Sequence, residues 1–238
     1  MAQTILTDVM GTTTPNSHIG ELLADFKEHG ERVLSSGYLT NSENNITVEV
    51  GNPPREREIS LLSYLRRDTG KRIMPEIVAE IARMIGNKNL DKHYMGVLGV
   101  VNRDGYYHGR LDAGFFVDVE PVFDRWKLEE GRNIYVYSSG SAFSQNAMFT
   151  HSKEGKLRRF IDGFFDLKNP GSKYEAESYE DIAMQINVDT SDILFLSDSS
   201  KELDAAHQAG CDVKLVVRPG NKETESDKYQ VIHSFSEI

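Results

Sequence analysis

Residues 4–15 read Thr4-Ile5-Leu6-Thr7-Asp8-Val9-Met10-Gly11-Thr12-Thr13-Thr14-Pro15. The first four form a short β-type run. Gly11 and Pro15 punctuate the residues beyond it, so the stretch reads as a strand delivering its C-terminal end into a loop. Asp8 stands at that junction, beside a glycine and three hydroxyls. A carboxylate there can be a nucleophile, a metal ligand or the cap of a turn. The stretch alone does not choose among them.

The pattern around it does more. Strand-like runs at Ile134–Tyr137, Phe164–Phe165, Ile193–Leu196 and Val213–Val217 alternate with helical runs. The helical runs lie at Ala142–Phe149, Lys153–Ile161, Glu175–Ile186 and Ser200–Ala209, and a further helix, Val119–Glu130, ends at Gly131. Such alternation implies right-handed crossovers and a parallel sheet, an α/β fold of Rossmann-like type. One strand comes from the N-terminus and the rest of the sheet from about residue 115 onward.

The residues between are an insertion after the first strand. Ile19, Leu22, Leu23 and Phe26 recur at helical spacing, as do Ile59, Leu62 and Leu65, then Ile77, Ile81 and Ile85. Between these, residues 35–54 are polar, with Ile46, Val48 and Val50 alternating in a loop with a short strand. Residues 96–112, rich in Gly and Tyr, read as irregular. The expected organisation is a core of 1–15 and 115–238 with a mainly helical cap of 16–114. In open α/β sheets ligands bind beyond the carboxyl ends of the strands. Asp8, Ser138 and Asp198 each come directly after a strand-like run, so they share one rim, which the insertion is placed to cover.

Composition bounds the function. Of the 238 residues 39% are hydrophobic and 27% charged, ordinary for a globular chain. No apolar run approaches the roughly 20 residues of a membrane span, and Met1-Ala2-Gln3-Thr4 opens no signal peptide. The single cysteine, Cys211, allows no intrachain disulfide, which together with the absent leader fits the cytoplasm. A net charge of −10 argues against nucleic acid as partner. It leaves room for a small anion held by a lysine, a helix N-terminus and a divalent cation.

Three more stretches carry candidate chemistry. Ser138-Ser139-Gly140-Ser141 lies between a strand and a helix, suiting either an anion site or a helix cap. Lys173 stands just before a helix and is either a phosphate ligand or a solvated surface lysine. Asp198, with Glu202 and Asp204 close behind, suits a divalent cation or a capped helix start. His151 lies away from the strand ends and reads as structural. Trp126 reads as core, and Cys211 as a buried, inert thiol.

Taken in order, strand-Asp-x-x-Gly-Thr, strand-Ser-Ser, Lys before a helix and strand-Asp resemble the haloacid dehalogenase-like hydrolases. The chain resembles more closely the enolase-phosphatases of methionine salvage, also called acireductone synthases. The resemblance lies in residues 8–15, in Ile134-Tyr135-Val136-Tyr137-Ser138-Ser139-Gly140-Ser141 and in Lys173-Tyr174-Glu175-Ala176-Glu177-Ser178-Tyr179. It continues in Ile193–Asp198, in Val216-Val217-Arg218-Pro219-Gly220-Asn221, in His151-Ser152, in Asp162–Asp166 and in Ser234–Glu237. It is dense in the first 15 residues and from about Gly109 onward, and thin across the insertion.

The resemblance implies a Mg²⁺-dependent phosphatase, working as a monomer on a small phosphorylated metabolite. Asp8 would be the nucleophile and a metal ligand, Met10 would lend its backbone carbonyl to the metal, and Asp198 would complete the protein's share. Ser138 and Ser139 would hold substrate or phosphate, and Lys173 would neutralise phosphate and Asp8. One position departs from the pattern. The residue two after the nucleophile is usually acidic, and here it is Met10, whose thioether cannot move a proton. The chain is then open to three readings: an enolase-phosphatase, a phosphatase of another small phosphorylated metabolite, or a catalytically weakened relative that binds a ligand.

Overall fold

A computed structural model describes residues 2–35, 37–42, 45–50, 83, 92–153, 157–221 and 227–238. The chain divides into two compact units, residues 1–19 with 112–238 and residues 20–111.

The first unit holds a six-stranded, all-parallel sheet. Its strands are β1 (Thr4–Thr7), β4 (Asn133–Tyr137), β5 (Gly163–Phe165), β6 (Ile193–Ser197), β7 (Asp212–Val216) and β8 (Val231–Ile232), in the order β5-β4-β1-β6-β7-β8. β1 is central, and all four of its residues are buried, as a strand covered on both faces requires. The chain builds outward from β1 through β4 to β5, then crosses back to β6 on the other side. The order therefore reverses between β1 and β6, where the carboxyl ends of such sheets open a ligand crevice.

Helices alternate with these strands: α3 (Val119–Asp124), α4 (Ala142–His151), α5 (Ala176–Gln185) and α6 (Ser200–Gln208). α3 runs on into a single π turn, Arg125–Glu129, and the chain then turns at Gly131, whose φ is +66°. Trp126 lies in that turn, fully buried, with its ring 5.7 Å from Phe123 and 5.5 Å from Phe235. It belongs to the core. So does Cys211, whose thiol burial pushes up to about 12.

Three local expectations fail here. Residues 153–161 do not form an α-helix where they are described; only a short 3₁₀ turn, Leu157–Phe160, is present. The described residues of 35–54 hold two strands rather than one, β2 (Gly37–Ser42) and β3 (Asn45–Val50), paired antiparallel in the second unit. Residues 96–112 are not irregular: most of them belong to α2 (Lys92–Tyr107).

The physical reason for the last is packing. Val97, Leu98, Val100, Val101 and Tyr106 are buried. A Cβ on Gly105 would lie 2.6 Å from the Leu111 side chain and 2.8 Å from Asp25 Oδ2. That glycine admits a close neighbour rather than breaking the helix. Asp25 sits on α1 (His18–Ser35), and the Arg110 guanidinium joins it to Asp104 of α2 at 2.8 Å each. The recurrent Ile and Leu positions between 59 and 85 lie outside the described residues.

Candidate active site at the β1–β6 switch

The parallel register sets Thr7 opposite both Val136 and Leu196. Asp8 is therefore level with Tyr137 and Ser197, and Ser138 and Asp198 come one residue later. The Asp8 N–H donates to Leu196 O at 2.8 Å, extending the ladder past the strand end. Beyond it the chain curls tightly. The Val9 carbonyl accepts from the N–H groups of Thr12, Thr13 and Thr14 at 3.2, 2.9 and 3.0 Å. That curl, which Gly11 at φ +80° makes possible, returns the Thr12 hydroxyl to the strand end.

Asp8 is buried and held at both oxygens. Lys173 Nζ donates to Oδ1, and the Thr12 hydroxyl donates to Oδ2 at 3.2 Å. The same hydroxyl accepts from the Asp198 N–H at 3.1 Å, so one threonine ties the ends of β1 and β6 together. Arg218 fixes that threonine by donating from Nε to its carbonyl at 3.0 Å, and is itself paired with Asp118 at 2.9 and 2.8 Å.

Lys173 is 2% exposed and so is no surface lysine. Its main chain is pinned where Tyr179 OH donates to its carbonyl at 2.8 Å, and Tyr137 OH donates to Gly171 O at 2.9 Å. Its ammonium lies 5.7 Å from the Tyr137 ring and 5.8 Å from Phe195. Burial opposes the charge, but Asp8 and Glu202 on either side more than offset it and raise the lysine above its ordinary value.

Glu202 is the residue that sequence reasoning misplaced. It does not join Asp198 and Asp204 around a cation. Its Oε2 lies 2.6 Å from Lys173 Nζ and accepts from Ser197 Oγ at 2.8 Å. Burial, only partly countered by Lys173, pushes its carboxyl up to about 7. One ammonium between two carboxylates leaves an excess negative charge, and that excess favours proton return to Glu202. Asp204 is exposed and points elsewhere, to Lys228 and to the hydroxyl of Tyr229. The available signal was position: Glu202 lies in the first turn of α6 beside the buried Leu203, on the side of the helix that faces the core.

Ser138 is buried, with its N–H bonded to Phe165 O at 3.2 Å and its hydroxyl accepting from Gly140 N at 3.3 Å. Ser139 is half-buried in the same loop. The N-terminus of α4 is partly taken: Asp166 Oδ2 accepts from Ala142 N at 2.8 Å. Met10 is half-buried, and the Thr14 hydroxyl reaches its sulfur at 3.4 Å. His151 is the last residue of α4, exposed, roughly 15 Å along the helix from the rim.

The donor set suits a hard divalent cation. Asp8 and Asp198 stand at the ends of adjacent strands, which lie roughly 5 Å apart in a sheet, and peptide carbonyls of the curl lie between them in sequence. A Cβ on Gly11 would come within 2.1 Å of Asp198 Oδ2, so the loop passes that carboxylate with no room for a side chain. Among the described residues no group of three or more His, Cys, Asp or Glu is arranged as a metal cluster. Two carboxylates and a carbonyl fit Mg²⁺, which prefers oxygen and keeps several waters.

Known proteins resemble the chain along the same line. No family model matches it. The chain is 32% identical over 244 residues to enolase-phosphatase E1 of Anopheles gambiae, covering 100% of this chain and 82% of that one. The crystal structure of the UTR4 protein of Saccharomyces cerevisiae superimposes with a TM-score of 0.73 at 27% identity, covering 100% of both chains. L-2-haloacid dehalogenase from Xanthobacter autotrophicus shares the fold at a TM-score of 0.54 and 14% identity, covering 100% of this chain and 96% of that one. Among the described residues no helix is long and apolar enough to cross a membrane.

Proposed function

Because the chain belongs to the enolase-phosphatase family, within the haloacid dehalogenase-like hydrolases, we propose that Asp8 is its phosphoryl-accepting nucleophile. The substrate is 2,3-diketo-5-methylthiopentyl 1-phosphate, which is enolised and dephosphorylated to an acireductone in methionine salvage. The observation that carries the assignment is the Asp8 carboxylate, buried at the end of the central strand and held by Lys173 and Thr12. We assign a catalytic core built on residues 1–15 and 115–238, which residues 16–19 and 112–114 join in the same compact unit, and a cap between them that shapes substrate choice.

An Asp8 oxygen attacks phosphorus, the bond to the substrate oxygen breaks, and an aspartyl-phosphate forms. Water then attacks phosphorus, releasing phosphate and restoring the carboxylate. Charge collects on the equatorial oxygens during each transfer. Lys173, kept protonated by its two carboxylate neighbours, offsets that charge without moving. Ser138 and Ser139, on the loop after β4, hold the phosphate or substrate. Asp8, the Met10 carbonyl and Asp198 would hold Mg²⁺, which when bound supplies further charge neutralisation.

Met10 supplies no proton. An enol oxygen conjugated to a ketone leaves as a stabilised anion and asks less of an acid than an alkoxide does. The chain thus suits an activated leaving group, and acts as a monomer in the cytoplasm on this small metabolite rather than on nucleic acid. The sulfur at position 10 also supports a second reading, a weakened relative that binds the phosphate ester without turning it over.

Magnesium-dependent phosphate release across a panel of small phosphate esters, including the diketo phosphate, separates these readings. Turnover that falls to background in Asp8→Asn is the expected result. Tight binding of an ester with no turnover of any of them would favour the weakened relative.

A further inference from the structure

Asn16 comes after Pro15 on the loop leaving β1, and the phosphoryl-transfer chemistry at Asp8 does not require it. Its carboxamide nitrogen makes two contacts, donating to Asp198 Oδ2 at 3.0 Å and to Asn221 Oδ1 at 3.1 Å. Asn221 in turn donates from Nδ2 to the Gly11 carbonyl at 2.8 Å. The two amides thus form a directed chain. Reversing Asn16 would set its oxygen against the Asp198 carboxylate, and reversing Asn221 would set oxygen against the Gly11 carbonyl. The chain lies directly on the glycine, since a Cβ there would stand 2.5 Å from Asn16 Nδ2.

Asp198 is only half-buried, so water could satisfy it. Fixing such a side chain costs entropy and returns little stability. A carboxylate's terminal torsion is broad, however, and a ligand must present its oxygen in one orientation. The donor on Oδ2 supplies that orientation. It is also neutral, whereas an ammonium in its place would cancel the charge a cation needs.

Resting on the reading of Asp8 and Asp198 as a metal-binding pair, the geometry points to Asn16 as a positioning residue for the cation, with Asn221 as its anchor. In this role Asn16 need contact neither substrate nor metal. It acts through Asp198, and Asn221 ties it to the curl that carries the Met10 carbonyl.

Mn²⁺ affinity, read from the free-ion EPR signal during titration of the full chain, tests this without turnover. Asn16→Leu keeps the branching and removes the donors. Outer partners of metal ligands are typically worth about 10–100-fold in affinity, and a loss in that range is expected, with a smaller one for Asn221→Ala. Turnover at saturating Mg²⁺ should stay within a few-fold of the parent, so that the defect lies in the Mg²⁺ requirement.

Unchanged Mn²⁺ affinity in a folded Asn16→Leu, with Asp198→Asn abolishing binding, overturns the positioning role alone. Absence of Mn²⁺ binding by the parent overturns the metal-site reading as well. If Asn16→Leu does not fold, Asn16→Ala and Asn221→Ala decide by the same criterion.

Discussion

The two carboxylates that flank the switch point are held in opposite ways. Asp8 faces a buried ammonium, shared with Glu202 and enclosed by Tyr137 and Phe195. The Asp198 carboxylate accepts from the neutral amide of Asn16, while its own N–H donates to the Thr12 hydroxyl. The difference reflects what each side must do. On the Asp8 side the protein supplies the positive charge itself, in a dry setting that gives it full effect. On the Asp198 side the amide of Asn16 supplies orientation, and the proposed cation would meet a carboxylate already held at one oxygen.

Removing the charge from the first side should have the largest effect. Lys173→Met leaves Asp8 and Glu202 buried without a counter-ion. Breaking a buried pair in this way costs about 3–5 kcal/mol, and losing a preorganised charge at the transition state costs about 10³-fold in turnover. Urea unfolding and phosphate release measure both. A stable, active Lys173→Met would mean that the two sides do not differ as described.

Adding a carboxylate on the curl after Asp8 comes next. Met10→Glu restores a group able to move a proton, and acid–base assistance begins at about 10²-fold. The gain should appear with an alkyl phosphate and be smaller with the enol-forming substrate, where the leaving oxygen needs less help. Equal rates for parent and variant on both esters would show that position 10 does not govern protonation.

Neutralising Glu202 should have the smallest effect, visible in pH dependence. Its folded-state value of about 7 lies above the ordinary glutamate value of 4.5, so between those limits the folded chain binds more protons than the unfolded one. Stability contributed by this group is therefore present at low pH and is lost as pH rises toward 7. In metal-free buffer the stability of the parent relative to Glu202→Gln should fall across that window. A flat difference would place the excess charge elsewhere in the trio.

Much of this was legible in the chain. β1, β4 and β6 show as short β-type runs because the centre of a parallel sheet is buried on both faces, and Asp8, Ser138 and Asp198 are placed by tracing those runs to their ends. The illegible part depends on contacts distant in sequence. Gly96, Gly99 and Gly105 look like breaks until Leu111 and Asp25 are seen against the last of them. Glu202 looks like a cap or metal ligand until Lys173 arrives from the segment before α5. Asn16 and Asn221 have no periodic position, and only the fold brings them together.

The proposed role of Asp8 is to accept the phosphoryl group. Quenching the enzyme during turnover, reducing acyl phosphates with borohydride and locating homoserine by peptide mass tests it directly. Homoserine at position 8, and at no other carboxylate, is the predicted result. Continued turnover with no homoserine at position 8, or with homoserine at another carboxylate, would contradict it.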